Sequence, residues 1–300
     1  MTRLAWVLNL DCEHELATRG SYTPARHVRA LVARERRRLL DALVGKDDVI
    51  ITGEDTPAAR GLAGVAWCPT PRALAQLRAA GARPAAAPGL DVLRAVNARP
   101  FAARVRAPLA RASTPKYVAT TLDETLAQLA RPAPLGWLVR RTFGAAGRGR
   151  RRIAAARPDA AERAWIEASL RGGPLSIEPW VEVTREFTRS AWVRSGGEVV
   201  ISPPCFQRTT GEGAWIATEL ADRVPREDDA RLEEAVAAAG TALARAGYFG
   251  PFGIDAFRHR APGTAREVLN PLSEINARFT MDWATAMVGS RREVLAESLA

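Results

Sequence analysis

The chain has 300 residues, with 47% hydrophobic and 25% charged side chains, which is the balance of an ordinary soluble globular protein and excludes a disordered or fibrous one. Lys and Arg number 43 against 33 Asp and Glu, for a formal charge of +10, yet only Lys46 and Lys116 are lysines. An arginine skew spread along the whole chain, beside many Ala, Gly and Pro, is a compositional bias, so the charge favours a small anionic ligand over nucleic acid. The cysteines, Cys12, Cys68 and Cys205, are too scattered for a disulfide framework or a zinc knuckle and suit a reducing compartment. No apolar run approaches the roughly 18–20 residues that span a bilayer, and acidic residues interrupt the start before a signal-peptide core develops. A cytoplasmic protein is expected.

Leu4–Leu10 is a near-continuous apolar run suited to a strand buried on both faces. A polar loop follows, then a helical pattern from Pro24 to Val44 in which Val28, Leu31, Val32, Leu39, Leu40 and Leu43 share one face. Short strands are expected at Asp48–Gly53 and Val65–Cys68, with a helix start signal at Asp55, and together these read as a βαβ unit with a parallel sheet. Ala79–Pro88 is a connector. One helix is expected over Asp91–Val105, a strand at Lys116–Ala119 and a helix at Leu122–Ala130. Strands Gly136–Arg141 and Arg151–Ala154 flank a glycine loop, and a helix follows at Ala160–Leu170. Strands then run at Ser176–Val181, Glu186–Val193 and Glu198–Ile201, ahead of a long Ala-rich helix at Arg226–Ala246. Strands at Phe252–Arg258 and Arg266–Leu269 and a helix at Ser290–Ser298 close the pattern.

The strongest chemical signal is Gly250-Pro-Phe-Gly-Ile-Asp255 followed by Ser273-Glu274-Ile-Asn276-Ala-Arg278. Two neighbouring strands would each present a carboxylate, and Asn276 shares the face of Glu274 because the strand period is two. Asp255, Glu274 and Asn276 are hard oxygen donors of the kind that suits Mg²⁺ rather than zinc or copper. Without a cation, two carboxylates about 4 Å apart repel by roughly 4 kcal/mol at an effective dielectric near 20. Arg278 continues the alternation toward a phosphate or substrate carboxylate.

This pair, with the order of elements from Asp91 to Gly289, resembles the ATP-grasp superfamily, which includes D-alanine–D-alanine ligases, biotin-dependent carboxylases and other carboxylate–amine ligases. The resemblance implies an α/β architecture: a Rossmann-like βαβ domain over residues 1–90, a central lobe over 91–175 with the glycine-rich loop, and a C-terminal lobe over 176–300 with the metal site. It implies that Asp255, Glu274 and Asn276 hold two Mg²⁺ ions, with Mn²⁺ as the substitute, and that Arg278 faces the reacting group as a catalytic residue. In Arg140-Arg-Thr-Phe-Gly144-Ala-Ala-Gly147-Arg148-Gly149-Arg, glycines let backbone N–H groups approach a polyphosphate. A strand on either side of that loop suits a flap rather than a P-loop, and the resemblance makes it the cover over the triphosphate of ATP. Arg140 and Arg99 stand where typical members carry phosphate-binding lysines. Arginine keeps the charge with a different shape. By the same resemblance Glu178 and the backbone of Trp180 and Val181 hold adenine, and Glu186 bonds the ribose hydroxyls.

The activity implied is ATP-dependent ligation of a carboxylate, amino-acid or peptide-like, to an amine through an acyl phosphate. The rivals are an ATP-dependent phosphotransferase and a nucleotide-binding protein with reduced catalysis. The partners expected are the small-molecule carboxylate and amine substrates and at most a second copy in a homodimer, with no membrane and no nucleic acid. Among the remaining polar residues, the Asp11-Cys-Glu13-His14-Glu15 run reads as a solvated or substrate-contacting loop. His27 and His259 read as surface residues, Cys205 as a small buried one, and most tryptophans as core.

Overall fold

A computed structural model describes residues 3–39, 43–53, 56–109, 115–144, 147–154, 156–210, 215–260, 264 and 266–299. The N-terminal part contains β1 (Leu4–Val7), α1 (Cys12–Ala17), α2 (Arg26–Leu39), β2 (Val49–Ile50), β3 (Ala63–Ala66), α3 (Pro71–Ala79) and β4 (Arg83–Pro84). Its four strands form a parallel sheet in the order β2-β1-β3-β4, so the expected βαβ unit is present. Three elements differ from the sequence reading. The polar loop after β1 contains α1, a helix starts at Pro71 where proline's missing N–H is harmless, and the connector contains β4. β4 lies at the sheet edge, the one place where Pro84 can sit without breaking a ladder. The start signal at Asp55 lies outside the described residues.

The helix expected over Asp91–Val105 is two: α4 (Leu90–Asn97) and α5 (Arg99–Arg106), separated by Ala98 at φ −73° and ψ 131°. Pro100 causes the break, since it has no N–H to donate and its ring would strike the carbonyl four residues back. Asn97 locks the break in place. Its Nδ2 donates to Leu93 O (2.9 Å) and Ala277 O (3.3 Å), and its Oδ1 accepts from Ala277 N at 2.9 Å.

The central strands β5 (Tyr117–Ala119), β6 (Trp137–Arg140), β7 (Arg150–Ile153) and β8 (Leu175–Pro179) form an antiparallel sheet in the order β5-β8-β6-β7. It is covered by α6 (Leu122–Leu129) and α7 (Ala160–Leu170), both opened by full capping boxes, Thr121 with Glu124 and Asp159 with Glu162. The C-terminal strands are β9 (Val183–Val193), β10 (Val199–Thr209), β11 (Trp215–Leu220), β12 (Gly250–Arg260) and β13 (Glu267–Asn276), ordered β11-β10-β9-β12-β13 and antiparallel throughout. The long α8 (Arg226–Arg245) packs on one face of this sheet, where Gly240 is required because a Cβ would lie 2.7 Å from the Val199 methyls. Two short helices, α9 (Trp283–Ala286) and α10 (Arg291–Ser298), complete the chain.

The sequence pattern stops strands at prolines that the fold absorbs as bulges. β10 continues past Pro203-Pro204 through a register shift between Ile201 and Pro204. β13 continues past Pro271: Asp255 pairs with Glu274 but Phe257 pairs with Asn270, so the extra residues of β13 bulge out between them. An aromatic cluster, edge-to-face at Trp6–Phe279 (5.4 Å) and Phe279–Trp283 (4.8 Å) and tilted at Trp192–Trp283 (6.0 Å), joins the parallel sheet to the C-terminal sheet. Asn97→Ala should remove the bonds that seat the α4–α5 break on Ala277, lowering stability by about 1–3 kcal/mol in urea melts.

Candidate functional site

The central and C-terminal antiparallel sheets face each other across a polar cleft. On the C-terminal side, β12 and β13 place Asp255 directly opposite Glu274, with Asn276 two residues along the same face. Asn276 Nδ2 donates to Asp255 Oδ2 at 3.1 Å, so the three expected donors converge. Close approach there depends on Gly253, opposite Asn276, whose Cβ would lie 2.9 Å from Thr280. Burial, then the charges of Glu274 and Asp282, push the Asp255 carboxyl up to about 8. Burial would also raise Glu274, but the guanidinium groups of Arg99 and Arg140 overcome it and hold this carboxyl below its ordinary range. Two oxygen acids held side by side, one of them forced toward its neutral form, fit a hard divalent cation. Among the described residues no cluster of three or more His, Cys, Asp or Glu converges in a way that could hold a metal, so the set rests on two carboxylates and an amide.

On the central side lie cations. Arg99, the first residue of α5, is positioned through its backbone N–H to Thr142 O at 3.1 Å. Its Nη2 donates to Gly144 O at 3.2 Å, and its Nη1 pairs with Glu274 Oε2 at 2.7 Å. Arg140, at the end of β6, pairs with Glu178 at 3.0 Å and with Glu274 at 3.6 Å. The Nε atoms of both arginines are buried with no hydrogen-bond partner, which leaves donors available to an anion. Arg106, Lys116 and Arg150 join them. Arg106 lies 3.6 Å from Glu178, Lys116 Nζ donates to Ser273 O at 2.8 Å across the cleft, and Arg150 is the ladder partner of Arg140. Burial, opposed by Glu178 and reinforced by Arg140, Arg99 and Arg106, pulls the Lys116 amine down to about 8. Arg106 and Lys116 were not singled out from the sequence. The one signal was that Lys116 is among the few lysines in an arginine-biased chain.

The glycine loop is the end of the β6–β7 hairpin, closed by Arg141 N–H to Gly149 O at 2.8 Å. Gly147 and Gly149 sit at φ +75° and +70°, and a Cβ on Gly144 would lie 2.7 Å from Arg148 O. Arg148 is exposed at this tip, and Ala145 and Ala146 lie outside the described residues. The base of the loop therefore rests on Arg99.

The hinge between β8 and β9 holds the remaining expected residues. The Glu178 carboxylate is buried and turned toward Arg140 and Arg106. Burial opposes its ionisation, but Arg140, Lys116 and Arg106 draw it down to about 2. Trp180 N–H donates to Gly136 O at 2.8 Å, and its ring lies 5.0 Å beneath Arg152. Val181 follows, half-buried. Glu186 accepts from the Thr209 hydroxyl and precedes by two residues Thr188, the partner of Asp255, so it lies on the cleft face.

Arg278 is more constrained than its place in the motif suggested. Its Nε donates to Glu13 Oε1 at 2.6 Å, and its Nη2 donates to Asn276 Oδ1 at 3.1 Å. Glu13 belongs to the segment read as a solvated or substrate-contacting loop. Instead this segment is α1, with Asp11, Glu13 and Glu15 all buried, and Asp11 and Glu15 pair with Arg72 at 2.6 and 3.2 Å. Burial explains the correction: carboxylates taken from water must be paired. His259 is likewise buried rather than on the surface, packed edge-on against Phe257. Burial raises the Cys205 thiol to about 12, and burial with a hydrogen bond to Cys68 raises that of Cys12.

No family model matches the chain, and no curated protein matches it. Solved structures do. Biotin carboxylase from Campylobacter jejuni, solved as a β,γ-ATP complex, superposes with a TM-score of 0.58 at 11% identity, covering 98% of this chain and 70% of that one. D-alanyl-alanine synthetase A from Vibrio cholerae gives 0.55 at 13% identity, covering 99% and 94%. N5-carboxyaminoimidazole ribonucleotide synthetase from Thermus thermophilus gives 0.51 at 19% identity, covering 92% and 71%. The architecture is a parallel α/β domain followed by two opposed antiparallel sheets. The chain has the ATP-grasp fold. Among the described residues no helix is long and apolar enough to cross a membrane.

The Asp255 carboxyl binds its proton more tightly in the fold than in the unfolded chain, where its ordinary value is 3.8. Its stabilising contribution is therefore complete below about pH 4 and lost as the pH rises through about 8. Glu274 acts oppositely, its contribution being lost only as the pH falls below its ordinary range. Thermal melts in chelator should show stability declining from about pH 4 to pH 8 and levelling off above, with a shallower slope in Asp255→Asn. Parallel slopes would show that Asp255 titrates normally.

Proposed function

We propose that the chain is an ATP- and Mg²⁺-dependent ligase that joins a carboxylate, of amino-acid or peptide-like type, to an amine. The observation that carries this reading is the matched Asp255–Glu274 pair with Asn276, facing buried arginines whose Nε donors have no partner. A polyphosphate supplies acceptors to those donors, and its roughly −4 charge balances the surplus of cations in the cleft. The D-alanyl-alanine synthetase and the biotin carboxylase that share this fold, the latter solved as a β,γ-ATP complex, support the same reading.

In this reading a substrate carboxylate oxygen bonds to the γ-phosphorus as the bond to the departing ADP oxygen breaks. The amine nitrogen then bonds to the acyl carbon, the carbon–phosphate oxygen bond breaks, and the amine releases a proton. Asp255, Glu274 and Asn276 would hold Mg²⁺, which supplies charge neutralisation beside the phosphates. Arg99 and Arg140 orient the phosphate oxygens through fixed donors, and the β6–β7 hairpin covers them and excludes water from an acyl phosphate that would otherwise hydrolyse. Val181 and the hinge backbone flank the base, Glu186 the ribose, and Arg278 stands between Asn276 and the N-terminal domain, where the acid would enter. Unpaired, buried thiols accord with a cytoplasmic setting.

Saturating Mg·ATP at about 100 times its dissociation constant should stabilise the protein by roughly 2.7 kcal/mol, and the absence of any thermal shift would sink the proposal. Phosphate release should require both an acid and an amine, and Asp255→Ala or Glu274→Ala should abolish it. A stable phosphorylated product would instead make the protein a phosphotransferase. Within the loop, Gly147→Val should reduce turnover far more than melting temperature, and hydrogen exchange over Thr142–Arg150 should slow on addition of Mg·ATP.

A further inference from the structure

Each member of the Asp255–Glu274–Asn276 set already has a group of the protein against it. Arg99 Nη1 lies 2.7 Å from Glu274 Oε2, and Arg140 Nη1 lies 3.6 Å from the same oxygen. Asn276 Nδ2 donates to Asp255 Oδ2, and Arg278 Nη2 donates to Asn276 Oδ1, each at 3.1 Å. The amide oxygen that a metal would take is thus the one Arg278 holds. Arg99 also bridges to the base of the hairpin through Gly144 O.

We propose that Arg99, with Arg140 behind it, is the resident counter-cation of this carboxylate set, and that the set becomes a divalent-cation site only when a polyphosphate draws the two guanidinium groups away. The inference rests on the nucleotide reading above and adds an order of assembly to it. A guanidinium and a divalent ion compete for the same Glu274 oxygen, and an ion arriving alone enters a cleft where Arg99, Arg106, Lys116, Arg140 and Arg150 already outnumber Glu178 and Glu274. A polyphosphate reverses that field and offers the planar forks a bidentate partner. The buried Nε of Arg99 then gains a bond that no group of the protein gives it. Metal and polyphosphate become coupled, each raising the affinity of the other by the same factor.

The test titrates Mn²⁺ alone into nucleotide-free protein and reads free Mn²⁺ by electron paramagnetic resonance. Wild type should bind with a dissociation constant above about 1 mM, whereas Arg99→Gln should bind at least about tenfold more tightly. Adding Glu274→Gln to that variant should abolish the gain. Lys116→Gln removes a cleft cation bonded to Ser273 O rather than to Glu274, and should change the affinity by less than about threefold. Micromolar binding by wild type, or an equal gain in Lys116→Gln, would overturn the proposal. If circular dichroism shows Arg99→Gln unfolded, Arg140→Gln carries the comparison, with a gain of about threefold or more expected and no gain counting against it. Mg·ATP forms a separate arm: its failure to bind wild type would refute the nucleotide reading, while the Mn²⁺ arm, which uses no nucleotide, judges the lock alone.

Discussion

The ion pair between Arg99, at the start of α5, and Glu274, on β13, lies where two sheets that share no hydrogen-bonded strand come together. Arg99 comes from a helix start fixed by a proline, and Glu274 from a strand whose register is set by a bulge. Arg140 extends the pair to Glu178, so two carboxylates and two guanidinium groups form one connected unit. Removing any one member would leave an uncompensated charge away from water, which is far more destabilising than losing an exposed pair. The cleft geometry is therefore set by charge balance as much as by apolar packing.

That balance gives meaning to the arginines. A lysine ammonium is a compact point charge on a flexible stem, while the guanidinium of Arg99 reaches Glu274 and Gly144 together through its planar fork. The fork bridges a carboxylate on one sheet and the base of a hairpin on the other. A group so placed links the state of the carboxylates to the position of the loop. Substituting arginine throughout a chain is a compositional event, but at these two positions it has a mechanical result.

Much of this arrangement was legible in the sequence where the controlling physics is local. The alternation of Glu274, Asn276 and Arg278 follows from strand period alone, and the capped helices α6 and α7 announce themselves through Thr121 and Asp159. The glycine hairpin is read from strands on either side. What was not legible depends on the approach of distant segments. Pro271 reads as the end of a strand unless the partner register that absorbs it is known, and Pro203-Pro204 misleads in the same way. Glu13, Asp11 and Glu15 look solvated until Arg278 and Arg72 arrive from far along the chain. Lys116 looks like the first residue of an ordinary strand until Ser273 faces it. The same is true of His259, whose burial is decided by Phe257 and the sheet around it.

Arg278 shows why the parallel domain belongs to the site rather than merely preceding it. The chain leaves β13 at Asn276, and the next residue, Ala277, is clamped on both backbone groups by Asn97. Held this way, Arg278 projects toward the parallel domain, where Glu13 receives it and the Trp67 ring lies 5.9 Å away. Three residues on from Asn276, Phe279 donates its backbone N–H to Trp67 O and packs on Trp6. Over four residues the chain thus contributes a candidate metal ligand, a backbone clamp to the central helices, an ion pair to α1 and an aromatic anchor to β1. A displacement of the parallel domain would be transmitted directly to Asn276, because an anchored strand end and a buried ion pair leave little slack between them. Any substrate that competes with Arg278 for Glu13 would therefore act on the oxygen donors of the cleft without touching them.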